Sequence, residues 1–178
     1  MTGVTIMSSA LVPKRFDMVR ELLPASRRLG NARNPNAEAN VRDAESAAQA
    51  LGYDQLVRRV EAPDLALAFR ELAGKGIDTV LITTDPDFNS QRERMAQLAI
   101  QHGIALVSDF REYVEAGGLM SYGASIVDMY RRLGVYAGRV LDGEKPADLP
   151  VEQPTRFELV INPRRTGFRH WALADGWP

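Results

Sequence analysis

The sequence predicts an α/β fold, a parallel sheet in a three-layer α-β-α arrangement, and three observations predict it. Short apolar runs and amphipathic helical stretches alternate along most of the 178 residues, which is the pattern of βαβ units. Two of the apolar runs, residues 77–82 and 104–107, are rich in branched side chains and bounded by turn formers, as strands buried on both faces are. Glycines stand near the points where helical periodicity stops, at Gly52, Gly74, Gly103 and Gly143, where a helix C-terminus favours them.

The elements follow in order. Residues 3–7 form a short strand, and residues 15–23 carry Phe16, Val19, Leu22 and Leu23 at helical spacing until Pro24 stops them. Residues 27–33 occupy the next strand position but suit it poorly, because Gly30, Asn31 and Arg33 each cost packing in a central strand. A helix over residues 37–51 places Val41, Ala44, Ala48 and Leu51 on one face, and residues 55–60 form a strand. Asp64 is placed to N-cap a helix bearing Leu65, Ala68, Phe69 and Leu72, through its acceptor oxygens. Ser90 and Glu93 match a capping box that opens a helix with Met95, Leu98 and Ala99. A short helix then runs to Ala116.

Residues 110–162 organise the rest. A Gly117-Gly118 break precedes a two-residue apolar strand, Leu119-Met120, and a polar aromatic turn, Ser121-Tyr122-Gly123. Ser125 with Asp128 forms another capping box. Ile126, Met129, Tyr130, Leu133, Tyr136, Ala137, Val140 and Leu141 then recur at helical spacing, so one face of that helix is expected on the core. Pro146, Pro150 and Pro154 make residues 145–155 a stiff, extended crossing segment, and a final strand ends near Asn162.

Composition narrows the function. A net charge of −1 and a pI near 6.1 give no field that attracts nucleic acid or an anionic membrane. No cysteine is present, which excludes disulfides and thiol chemistry. No apolar run approaches the ~20 residues of a membrane span, and residues 1–16 lack the apolar core of a secretory signal. Phosphate-binding glycine loops, nucleophile elbows and histidine pairs for zinc are not found. The sequence therefore points to no catalytic residue, metal or cofactor. His102, at a helix end, reads as structural, Met95, Met120 and Met129 as core filler, and Arg131-Arg132 as a solvated helix face.

Small ligands of open parallel sheets bind outside the carboxyl ends of the strands. Those ends carry Asn34 and Asn36, Thr84 and Asp85, Ser108 and Asp109, and Ser121 and Tyr122. Asp85 or Asp109 can take an ammonium, Tyr122 can stack on a ring, and backbone amides at helix starts can receive a carboxylate. Together these suit an amino acid. The same residue types are also the ordinary turn formers and helix caps of such edges, and Tyr122 beside Gly123 can equally cover the sheet edge.

The runs EAGGLMSYG, YRR, KPADLPVEQPT and FELVIN resemble the periplasmic substrate-binding proteins of ABC transporters, in the branch whose better-known members bind aromatic amino acids. Weaker likeness extends over residues 3–162. The resemblance implies a type 1 periplasmic-binding-protein lobe, related to Rossmann and flavodoxin-like sheets, and non-catalytic binding between two lobes. It also implies an ABC permease as partner and a periplasmic location. On this reading residues 1–162 are the second lobe, residues 142–156 the inter-lobe connector, and residues 163–178 an atypical tail. The family's signal peptide and first lobe have no counterpart in the sequence, so a truncated form is expected that would stay in the cytoplasm as written. Two other readings stand beside it. One is the effector-sensing domain of a transcription regulator, which uses the same lobe architecture. The other is a small flavodoxin-like enzyme or response-regulator-like domain, for which Asp85 is a partial match.

Overall fold

A computed structural model describes residues 2–5, 9–33, 46, 48–59, 64–82 and 85–163. The strands are β1 (Gly3–Val4), β2 (Arg28–Arg33), β3 (Asp54–Arg59), β4 (Thr79–Ile82), β5 (Ala105–Ser108), β6 (Met120–Ala124), β7 (Val151–Glu152) and β8 (Phe157–Ile161). The helices are α1 (Val12–Leu22), α2 (Leu65–Gly74), α3 (Pro86–Ser90), α4 (Arg92–Gln101), α5 (Arg111–Glu115) and α6 (Ile126–Leu141).

The main sheet has the order β3-β2-β4-β5-β6-β8. Its first five strands are parallel, and β8 closes the edge antiparallel to β6. In β4 consecutive side chains go to opposite faces, as the period of two dictates. Val80 and Ile82 join a core with Leu65, Phe69 and Leu72 of α2, Met95 of α4 and Tyr113 of α5. Leu81 joins the other core, with Phe16, Val19 and Leu22 of α1 and with Ala48 and Tyr53. Every residue of β4 and β5 is buried, so the three-layer α-β-α expectation holds.

Several local expectations are corrected. Residues 28–33 make a full parallel ladder with β3, and residues 29–32 pair with β4 on the other side. Gly30 is an advantage there: a Cβ would stand 3.0 Å from the Ile77 and Val80 methyls and 3.2 Å from Leu72. Its missing side chain is the space those neighbours fill. Residues 121–123 are strand, not turn, because β8 supplies a partner for each of them. β1 stands outside the main sheet and pairs in parallel with β7. α1 starts at Val12, with Pro13 in its first turn, where the missing N–H costs nothing.

The caps differ too. Asp64 makes no capping bond. Ser90 and Glu93 form no capping box: the Ser90 hydroxyl donates to the Asp87 carbonyl, α4 starts after Gln91 without a side-chain cap, and Asp85 caps the short helix α3 that precedes it. Ser125 accepts from the Asp128 amide at 3.4 Å. The reciprocal half of that box is missing, because the Asp128 carboxylate accepts from Arg132 instead.

The largest departure concerns α6 and the connector. Only Met129 and Tyr136 of the helix are buried. Tyr130 is 70% exposed and Leu141 87%, with Leu133 and Val140 also open, so the expected packing onto a core holds at Ile126, Met129 and Tyr136 and fails along the rest of the face. The connector is not extended throughout, since a turn closes from Lys145 to Asp148. It is strapped to the helix by polar bonds. Arg132, far from being a free solvated cation, donates to Asp128 and Glu152 at 2.9 Å and to Thr155 at 2.8 Å. The Tyr136 hydroxyl donates to the Pro150 carbonyl at 2.9 Å, and the Thr2 hydroxyl to the same oxygen at 3.0 Å.

Candidate ligand-binding site

The strand order reverses between β2 and β4, since the chain adds β3 on one side of β2 and β4 on the other. Crevices in open α/β sheets form at such a switch point, beyond the carboxyl ends of the strands. Ala32 lies opposite Ile82 there. Asn34, Asn36 and Thr84, expected on the sequence to line this edge, lie just past these strands and outside the described residues. Asp85, Asp109 and Tyr122 are described, and the structure sends them to different surroundings.

An open cavity of 410 Å³ sits on this edge, within the usual range for small-molecule pockets. Asp85 and Asn89 supply polar side chains to its lining; Val4, Pro86, Phe110, Ile126, Met129, Tyr130 and Leu133 make up the rest, largely apolar. Asp85 is held by its own cap: one carboxylate oxygen accepts from the amides of Asp87 at 2.9 Å and Phe88 at 3.1 Å. The other oxygen takes no hydrogen bond from a described residue, so the cap fixes the carboxylate while leaving an acceptor beside the cavity. Phe88, buried beneath α3, anchors the same turn in the core.

Asp109 and Tyr122 meet elsewhere. Asp109 is 4% exposed; its carboxylate lies 3.9 Å from an Arg15 nitrogen and accepts from the Ser108 hydroxyl at 3.2 Å. Tyr122 packs against the core on the α1 face, and its ring lies 6.2 Å from that of Phe157. Its carbonyl accepts from Arg15 Nε at 2.7 Å. Arg15 is itself 1% exposed; burial pushes the pKa of its guanidinium down, and Asp109 pulls it back up. Beneath the cavity edge, the Tyr113 hydroxyl is pushed well above the ordinary range by burial, with the negative charges of Asp109 and Asp85 adding to the shift.

Sequence reasoning missed Arg15, Asn89, Phe110, Ile126 and Tyr130 as parts of this edge. A signal for Arg15 exists. It stands three residues after Val12 and four and seven before Val19 and Leu22, all on the buried face of α1, so a charge there marks a polar partner within the fold. Tyr130 was read as a core position because helical spacing shows an apolar face without showing what covers it, whereas Ile126 both packs against the core and lines the cavity.

The profile of the family described as ABC transporter substrate binding protein matches residues 1–167. The chain belongs to that family. Solved structures agree on the fold. A conserved domain protein from Vibrio cholerae superposes with a TM-score of 0.84 at 24% identity, over 93% of this chain and 56% of that one. The ABC domain from Streptococcus pneumonia in complex with L-Trp gives 0.83 at 20% identity, over 92% and 57%. A ligand-free, open substrate binding protein with adhesive properties from Clostridium difficile gives 0.64 at 21%, over 94% and 57%. No curated protein sequence matches significantly. This member of the substrate-binding family thus spans little more than half the length of its solved neighbours, and its fold is the type 1 periplasmic-binding-protein lobe that the motifs implied. Among the described residues no helix is long and apolar enough to cross a membrane, and none of them form a cluster of metal-ligating side chains.

Proposed function

We propose that this chain forms the second lobe of a solute-binding component of an ABC import system, and that its cavity takes a small amino acid with an aromatic side chain. The observation that carries the reading is the 410 Å³ cavity on the carboxyl edge, with a fixed carboxylate in a largely apolar lining. Asp85 takes the ammonium through its spare oxygen; Phe110, Ile126 and Tyr130 take the ring. The neighbour solved with L-Trp supports the ligand class. In this reading binding involves no chemical step, and an ABC permease in the cytoplasmic membrane receives the ligand.

The cavity is open on the side of α6, where Tyr130 and Leu133 stand exposed. A second domain seated on this face would close over the ligand. A single lobe therefore binds weakly.

Thermal unfolding with millimolar tryptophan, phenylalanine and tyrosine tests the assignment, because a ligand that binds only the folded state raises the midpoint. The expected result is a rise with aromatic amino acids that Asp85→Asn reduces, while indole-3-propionate, which lacks the ammonium, gives a smaller rise. Equal shifts for tryptophan and indole-3-propionate would overturn the role of Asp85. No shift with any of them would overturn the ligand class.

A further inference from the structure

We propose that Arg15 is a positioning residue for the cavity: it ties the carboxyl ends of β5 and β6 together one residue beyond the point where their backbone ladder stops. The wall that Phe110 and Ile126 present to a ligand is set by that tie. The parallel pairing of β5 with β6 ends at Ser108 opposite Ser121. The next residue on each strand is Asp109 and Tyr122. Arg15 bridges these two, donating from Nε to the Tyr122 carbonyl at 2.7 Å and placing Nη2 3.9 Å from the Asp109 carboxylate.

Three features make this a clamp and not an incidental contact. Arg15 heads the fully buried side chains by volume, and Val12, Phe16, Val19 and Leu22 hold its helix on the sheet, so the guanidinium cannot drift toward solvent. The planar fork of arginine meets a carbonyl and a carboxylate at once, which the point charge of lysine does not. One residue further on, Gly123 lies against the Asp109 backbone so closely that a Cβ would collide with the Asp109 carbonyl. The two strand ends are thus pressed together at Gly123 and tied through Arg15. Phe110 leaves directly from one strand end, and the other leads through Ser125 into Ile126; both residues line the cavity.

The structural part of the proposal stands on geometry alone, whereas its effect on affinity rests on the ligand reading above. The test is amide hydrogen exchange on the whole chain, comparing wild type, Arg15→Lys, Arg15→Gln and a packing control on the same helix, Val19→Ala. Phe110 donates its amide to the Ser108 hydroxyl and Ser125 to the Arg156 carbonyl, so both report on the edge. Loss of a hydrogen bond to a charged group should speed exchange at Phe110 and Ser125 by about tenfold to a hundredfold. The amides of Val80, Leu81 and Ile82 should change only in step with global stability. Val19→Ala should speed all of these together.

Arg15 variants that behave like Val19→Ala would overturn the proposal. Should neither variant fold, the wild type still decides: its Arg15 Nε–H proton must exchange far more slowly than that of exposed Arg20, and equal rates would overturn the clamp. Tryptophan titration supplies the functional arm, in which Arg15→Lys weakens binding while remaining cooperatively folded; unchanged affinity would overturn the positioning role. If the wild type itself binds no tryptophan, the ligand reading fails, and the exchange data still decide the clamp.

Discussion

β4 with β5 and α6 with its connector stabilise themselves by opposite means. Every residue of the two strands is buried, with apolar side chains on both faces. The sixteen-residue helix α6 buries only Met129 and Tyr136 and is fastened to the connector by Arg132, Tyr136 and Glu152 at its polar side. Apolar burial is worth about 25 cal/mol per Å², so the strands carry the stability of the fold. Polar straps between such partly buried groups each contribute a modest net energy but fix direction. The difference teaches that α6 is placed accurately by its straps while its apolar face stays free for another surface.

The largest predicted contrast follows directly. Leu81→Ala removes a side chain that is 1% exposed and should cost about 2–5 kcal/mol. Leu141→Ala, at a position 87% exposed, should change stability by no more than about 0.5 kcal/mol. Urea unfolding of the two variants checks this, and a comparable loss in both would mean that α6 is covered in the isolated chain.

Gly123→Ala comes next. A methyl group there meets the Asp109 carbonyl, a backbone atom that cannot rotate away, so overpacking should cost about 1–3 kcal/mol. An unchanged unfolding midpoint would show that the β5 and β6 ends are looser than the structure has them.

The smallest effect is a pH dependence. Burial raises the folded-state pKa of Tyr113, so the unfolded chain releases that proton first. Its contribution is fully present below the ordinary tyrosine value of ~10 and is lost as pH rises above it. Tyr113→Phe should therefore flatten the alkaline limb of the stability profile and leave the neutral region little changed. An alkaline limb of unchanged slope would mean that Tyr113 is solvated.

The sheet was legible in the sequence because its signal is local: branched runs at residues 77–82 and 104–107 can hardly be anything but buried strands. Asp85 was legible as a polar residue after a strand, though not as the cap of the short helix α3. What failed depends on distant partners. Tyr122 became strand because β8, some forty residues later, pairs with it, and Arg28–Arg33 became a sound strand because Ile77, Val80 and Leu72 fill the space above Gly30. The exposure of α6 was hidden for the same reason, since periodicity reveals an apolar face but never its cover.

The most direct test of the central claim is an amide-resolved NMR titration of the chain with tryptophan. The account predicts saturable shifts concentrated at Asp85, Asn89, Phe110 and Ile126 of the cavity lining, with the residues of β3 undisturbed. Shifts that cluster along Ala137, Val140 and Leu141 instead, or that never saturate, would contradict it and place the ligand on the open face of α6 rather than at the carboxyl edge of the sheet.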